Sequence, residues 1–338
     1  MATFKIYKLH FTSPLHISDQ REDSSVSLKS VCSDTLYAAL ISCMAKYGNR
    51  VPQDGDLGFT LSSLFPYFQE KPESVPVYFL PMPFQARLPE LKDVSKAKTV
   101  KKVQWVDASL YGKVLAGDSF FDGTDEYFGN IYDSYLVAPD TMLSVNFGEF
   151  VKSEISQRVT LNSRIGEEDA KPYYVDRVLF KYYSGLYFLA VGDTESLEKA
   201  LKYLSIEGIG TDRNLGFGLF GYSVDQMELN VPQDADHLLS LSAFIPAKDE
   251  LEPLLDSGDV AYDFVRRGGW ITTHPYMTLR KNAVYAFLSG SVFRKPVGCD
   301  TLCMGKIVDL APSIGDLSPS HPVWRNGKSI MLPIKLKK

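Results

Sequence analysis

Five glycines, Gly208, Gly210, Gly216, Gly218 and Gly221, fall within 14 residues of one stretch, GIGTDRNLGFGLFG. Glycine lets a backbone approach a phosphate chain, and the exposed N–H groups can then act as an anion nest. Thr211, Arg213 and Asn214 add two polar side chains and a cation to the same stretch. A dinucleotide fingerprint is unlikely here, because Gly-x-Gly-x-x-Gly follows a strand and needs glycine where Arg213 stands. A P-loop would need Gly-Lys-Ser/Thr, which is absent. Two readings remain: an anion-holding loop, or tight turns and a bulge entering a strand.

The other chemically able residues are sparse. Of five histidines, His16 is the most interesting, since it ends the first expected strand and could face the same groove as the glycines. General acid–base work would need a partner such as Tyr, Lys or a second His, and spacing nominates none. A lone histidine there is more often structural. Cys299 and Cys303 form the close pair among four cysteines, with no second pair at zinc-ligand spacing, and read as ordinary buried thiols. Neither a Gly-x-Ser-x-Gly elbow nor a His-Glu-x-x-His helix is present. No catalytic residue, metal or cofactor is expected.

Several elements must position these residues. TFKIYKLHFTSPLH reads as an opening strand ending at Pro14, followed by a polar loop. Helical spacing of Leu36, Leu40 and Met44 predicts a helix, with Ser33 as N-cap, Asp34 favouring its positive end and Gly48 as stop. Lys92, Lys96, Lys98, Lys101 and Lys102 are the densest basic cluster and read as a solvated lid or loop. Residues 107–150 read as an irregular insertion. Two β-rich arms around NSRIGEEDAKP predict a long protruding hairpin, continuing into the core strand YSGLYFLAVG. A helix capped by Thr194 should bury Leu197, Leu201 and Leu204 and lead directly into the glycine loop. After a polar linker at about 228, five strand-like segments follow. The expected division is 1–228 and 229–338, in an α+β chain.

The chain has 338 residues, 45% hydrophobic and 23% charged, with 20 Phe, 19 Tyr and 3 Trp, so a large folded core is expected rather than disorder. No apolar run approaches the ~20 residues that span a bilayer. The first residues lack a signal-peptide core, and four cysteines are too few for a disulfide scaffold, so a cytoplasmic location is expected. A formal charge of −5 argues against a free-standing, nonspecific nucleic-acid binder, though not against a local basic groove.

Taken together, LHIS, SDTLYAAL, QRVTLNSRIG…YYVDRVLF and GIGTDRNLGFGLF resemble the RAMP superfamily of CRISPR proteins. KKVQWV, RRGGW, LSGSVF and HPVWRNGKSIMLPIKL are similar to its Csm-four subunit family, from type III-A (Csm) effector complexes. The resemblance spans most of the chain. It implies two ferredoxin-like (RRM-type) domains, a hairpin thumb and no catalytic activity. It further implies a grip on the 5′ handle of the CRISPR RNA, with the large Cas-ten subunit and the Csm-three backbone subunit as partners and target RNA nearby.

Carried onto this sequence, Gly208, Gly210, Thr211, Arg213, Asn214, Gly216, Phe217 and Gly218 would cradle the handle. His16, Ser18, Ser33 and Asp34 would line the same groove. Arg158, Asn162, Arg164 and Ile165 would serve the thumb, while its acidic tip, Glu167, Glu168 and Asp169, would face protein or solvent. RRM-type sheets also often stack bases on exposed aromatics. The competing expectation is a Cas-six-like processing ribonuclease with His16 as base. In those proteins the glycine loop normally lies near the C-terminus, whereas about 120 residues follow it here. A scaffold touching only protein is disfavoured by Arg213 in the glycine loop.

Overall fold

A computed structural model describes residues 1–18, 25–84, 94–118, 127–141, 143–160, 171–256, 258–299 and 301–336. Asn162, Arg164, Ile165 and the acidic tip at 167–169 lie outside the described residues.

The architecture is mixed α+β and mainly sheet. Strand Ala2–Phe11 (β1) leads to helix Ser33–Lys46 (α1). Phe59–Leu61 (β2), Phe65–Phe68 (β3) and Val77–Pro81 (β4) follow. Next come helix Val94–Lys101 (α2), strand Trp105–Asp107 (β5), helix Tyr111–Ala116 (α3) and the short pair Ile131–Tyr132 (β6) and Tyr135–Leu136 (β7). Val151–Thr160 (β8) and Lys171–Phe180 (β9) form a two-stranded ribbon, from Val151 opposite Phe180 to Thr160 opposite Lys171. Gly185–Gly192 (β10), helix Thr194–Glu207 (α4) and Phe220–Leu229 (β11) complete the first part.

The second part holds His237–Ser240 (β12), the short helix Leu251–Leu255 (α5), Phe264–Arg267 (β13), Val284–Phe287 (β14) and Val292–Arg294 (β15). Cys303–Met304 (β16), Ile307–Asp309 (β17), Trp324–Asn326 (β18) and Ser329–Ile334 (β19) end it.

The main sheet runs β11-β1-β10-β3-β4-β5-β7-β6, with β2 also on β10, and a smaller sheet runs β15-β12-β19-β16. Period-2 alternation gives β1 two apolar faces, which is why it sits inside the sheet. Tyr7, Leu9 and Phe11 pack with Leu186 and Phe188 against Leu36 and Leu40 of α1 and Leu197, Leu201 and Leu204 of α4. On the opposite face Phe4, Ile6, Tyr187 and Leu189 pack against α3 and against Leu239, Leu332 and Ile334 of the smaller sheet. Burying each such side chain contributes about 1.5–3 kcal/mol. Tyr7, Tyr187 and Phe188, on the two faces, are all fully buried, so these central aromatics offer no stacking surface.

Two helix starts differ from expectation. Cys32 occupies the N-cap of α1 without a side-chain bond, and Ser33 is already helical. Asp193, not Thr194, caps α4, accepting the N–H groups of Glu195 and Ser196 at 3.1 Å. Aspartate is the stronger competitor for that position because it reaches two orphan donors with a full charge. Gly48 ends α1 as expected, at φ +75°. Helix α2 carries Lys98 and Lys101, exposed like Lys102 just beyond it, and Val100 and Val103 hold it to the core, while Lys92 lies outside the described residues.

The start of α1 is built into the joint between the two parts. Ser33 Oγ accepts the Ala243 N–H at 2.9 Å, and the Ser63 N–H donates to the Leu241 carbonyl at 2.8 Å. Asp34 Oδ2 receives Arg325 Nη1 at 3.0 Å and lies 3.1 Å from Arg267 Nε. Lys281 adds a further cation, and burial, followed by repulsion from Arg325, lowers its pKa to about 8.

Candidate nucleic-acid interface

The glycine loop is wedged between the residues after β1 and the β8–β9 ribbon. Its backbone is laced to the first of these: Gly218 N–H donates to the Pro14 carbonyl at 2.9 Å, and Thr211 N–H to the His16 carbonyl at 3.1 Å. Ile209 N–H closes the loop on Gly218 at 3.0 Å. Such close backbone lacing leaves no room for side chains at three positions, one of them Gly208, where a Cβ would sit 2.7 Å from the Phe217 carbonyl oxygen. A Cβ on Gly210, at φ +98°, would sit 2.5 Å from the His16 carbonyl oxygen, and one on Gly218 would overlap that of Ile209. Gly216 differs. Its φ of +81° favours glycine, yet a Cβ there would meet nothing within 4 Å, so steric obstruction is confined to its neighbours.

The ribbon holds the loop from the other side. Leu15 bridges Val178, and His16 Nδ1 lies 2.5 Å from the Asp176 carbonyl oxygen, which makes Nδ1 the protonated nitrogen. Asp176 is itself buried and accepts the Ser27 N–H at 3.0 Å. Arg158 Nη1 pairs with Asp212 Oδ2 at 2.8 Å, and the Arg177 guanidinium lies 4.3 Å from the centre of the Phe217 ring. Three segments far apart in sequence thus form one seat.

An open groove of about 510 Å³ lies between the last turns of α1 and the loop, lined by Ser42, Lys46, Thr211, Arg213 and Asn214 among others. Its charges are largely paired. Lys46 Nζ holds Glu207 at 2.5 Å, and that contact with the Tyr47 hydroxyl keeps the Glu207 carboxyl below its usual range. Arg213 is exposed and makes no ion pair or side-chain hydrogen bond with another described residue. It is the unbalanced cation of the groove, next to exposed Thr211 and Asn214. A planar guanidinium with a free fork suits a phosphate or a base edge.

The structure brings together the loop residues Gly208–Gly218, His16 and Arg158. His16 is only 4% exposed and occupied by a backbone carbonyl, so it stands as a positioning residue and not as a free base. Ser18, two residues further on, is half-buried. Ser33 and Asp34 are not brought to this surface. Both are fully buried in the joint, because α1 turns its first residues towards the second part and its last turn towards the loop. Lys46, Asp176 and Arg177 escaped the sequence reading. A charged residue amid the apolar run YYVDRVLF was the available signal for Asp176. Among the described residues no cluster of His, Cys, Asp or Glu has metal-holding geometry, and no helix is long and apolar enough to cross a membrane.

Comparison with known proteins gives this geometry its context. Residues 233–334 match the family model described as the CRISPR Csm4 C-terminal domain. A Mycobacterium tuberculosis protein described as "CRISPR system Cms protein Csm4" is 29% identical over 328 residues, 94% of each chain. A Streptococcus thermophilus protein of the same description is 26% identical, across 99% of this chain and 100% of that one. Among solved structures, the fold is shared with a chain of a Csm3-Csm4 subcomplex of a type III-A CRISPR-Cas interference complex. That match has a TM-score of 0.62 at 18% identity, covering 99% and 100% of the two chains. A chain of a Csm1-Csm4 cassette in complex with cA4 matches with a TM-score of 0.58 at 18% identity, over 100% of both. With residues 233–334 matching a Csm4 C-terminal domain and the likeness running through the whole length, the chain is similar throughout to the Csm4 proteins of CRISPR systems.

Proposed function

We propose that this chain is a non-catalytic subunit of a type III-A effector complex that grips the 5′ handle of the CRISPR RNA at the glycine loop. The observation that carries this is the convergence of residues 14–16, the β8–β9 ribbon and the loop beneath the exposed, unpaired Arg213. On this reading β11-β1-β10-β3 with α1 and α4 is a ferredoxin-like unit within residues 1–228, residues 229–338 form a second, smaller one, and the β8–β9 ribbon is the thumb beside the guide–target duplex. The subunit would bridge the Csm3 backbone to the large Cas-ten subunit. The relatives found in a Csm3-Csm4 subcomplex and a Csm1-Csm4 cassette support that pair of neighbours, Csm1 standing for the large subunit.

A Cas-six-like ribonuclease is disfavoured by His16. A buried imidazole whose Nδ1 is committed to the Asp176 carbonyl is poorly placed to take a proton from a substrate.

The test is Arg213→Ala in the assembled complex. Loss of one charge-assisted contact should weaken RNA retention by about 1.5–3 kcal/mol, roughly 10- to 150-fold. If Arg213 meets a phosphate, the salt dependence flattens by about one charge, whereas a base-edge contact leaves the slope nearly unchanged. Full retention of the RNA and of its 5′ end by this variant would refute the placement of the handle.

A further inference from the structure

The two-stranded ribbon β13–β14 has one face anchored and the other largely open, held to the core at Phe287. On the anchored face Ala286 is buried and Arg267 reaches Asp34 at the start of α1. Register places Phe264 opposite Phe287 and Arg266 opposite Tyr285, so these four share the other face; Phe287 packs onto Phe244 and Phe293, which leaves Phe264, Arg266 and Tyr285 as its open part. Phe264 is 54% and Tyr285 61% exposed, their rings 5.7 Å apart and nearly perpendicular. Arg266, between them, is exposed as well. Just beyond the ribbon, Trp270 bridges Arg280, whose guanidinium lies 4.9 Å from the centre of the indole.

Two large rings left in water cost hydrophobic free energy that a folded chain normally recovers by burial, so such a face marks a contact. Its charge identifies the class of partner. Residues 262–285 carry Arg266, Arg267, Arg280 and Lys281 against the single acid Asp263, in a chain whose net charge is −5. Aromatic planes interleaved with arginines are the surface on which unpaired bases stack while the cations meet the backbone.

We infer that the Phe264–Arg266–Tyr285 face is a second contact for single-stranded RNA, binding by base stacking and distinct from the glycine loop. It rests on the reading of this chain as an RNA-holding subunit and adds a place for bases to that reading. The two contacts share one rigid support. The Arg267–Asp34 pair ties the ribbon to the first turn of α1, and the groove of Arg213 lies against the last. A 14-residue helix holds its ends about 20 Å apart. RNA leaving the loop along α1 therefore reaches the ribbon after a few nucleotides.

The test uses the full chain and a fluorescent oligonucleotide of the CRISPR repeat's 5′-handle sequence, with Arg213→Ala as the benchmark. Phe264→Ala with Tyr285→Ala should weaken binding at least tenfold, the scale of losing a stacked base, with an unchanged salt slope. Arg266→Ala should lower that slope by about one charge. Tyr285→Trp, which keeps the ring, should bind as wild type, and unchanged thermal midpoints exclude misfolding. If Arg213→Ala weakens binding and the double variant does not, the ribbon inference falls and the loop reading stands. If the ribbon variants weaken binding and Arg213→Ala does not, the handle has been placed on the wrong element and the ribbon contact stands. RNA binding unchanged together with loss of a protein subunit from the complex would make the face a protein-docking surface and overturn the inference.

Discussion

Lys281 offers a quantitative test of the joint that holds α1. Its half-buried ammonium lies near Arg325 and Asp34, and burial followed by Arg325 lowers its pKa from the ordinary 10.5 to about 8. A lowered lysine pKa means that the folded state disfavours the charged form. Below about pH 8 the group is protonated in both states and the destabilisation is complete. Between about 8 and 10.5 the folded chain releases the proton while the unfolded chain keeps it, so stability rises with pH in that window. The shift corresponds to about 3–4 kcal/mol. Lys281→Met keeps the aliphatic stem and removes the charge. The variant should be more stable than wild type by about that amount at pH 7, with the gap falling to roughly half by about pH 9.5. Buried tyrosines such as Tyr37 and Tyr187, whose pKa values burial raises, lower stability once unfolded tyrosines ionise near about pH 10. That loss is common to both proteins and cancels in the difference. Guanidinium denaturation across this range, with matched m-values, reads the gap directly. A gap that is absent, reversed or constant with pH would refute the account of Lys281 as an uncompensated half-buried cation.

Asp34→Asn leaves Arg267, Arg325 and Lys281 without their carboxylate and should destabilise the chain by about 3–5 kcal/mol; a loss below about 1 kcal/mol by denaturation would show that the pair does not hold the joint. Gly210→Ala should lose far more RNA from the purified complex than Gly216→Ala, which should cost only the ~1–2 kcal/mol of a left-handed residue; equal losses would refute the steric account of the loop. Labelled repeat RNA should stay intact with the isolated protein, with or without divalent metal, and cleavage abolished by His16→Ala would restore the ribonuclease reading.

The elements most legible in the sequence are those whose periodicity reports their own burial. The faces of β1, the stripe Leu197–Leu201–Leu204 and the glycine stop of α1 are local patterns, and each stands where its pattern puts it. The caps were less legible, because Ser33 and Thr194 lost to non-local or stronger competitors: Ala243 claims the Ser33 hydroxyl, and Asp193 precedes Thr194. The site was legible only as a list. GIGTDRNLGFG announces a loop that approaches other backbone closely, but the sequence is silent on which backbone. The His16 carbonyl, the Asp176 carbonyl and Arg158 are joined across more than a hundred residues, and no spacing rule reaches that far. Ser33 and Asp34 show the converse error. Polar residues at a helix start look available for a ligand, and only tertiary contacts reveal that Arg325 and Ala243 already hold them.

On the proposed reading, the same pairing explains how an acidic protein would present a phosphate site. Lys46 is held by Glu207 and Arg158 by Asp212, so two of the cations nearest the loop serve its architecture rather than its surroundings. Arg177 is drawn onto Phe217. What is left for a ligand is Arg213, the polar edge of Thr211 and Asn214, and backbone held open by glycine. One unbalanced cation supplies little long-range attraction at physiological salt, where the Debye length is about 8 Å. Geometry must therefore do most of the selecting. Because Gly210 packs on the His16 carbonyl and the Gly218 N–H is bonded to Pro14, shape at the loop and rigidity of its seat are one property. A change that loosened the His16–Asp176 contact would therefore reshape the loop without touching Arg213, Thr211 or Asn214.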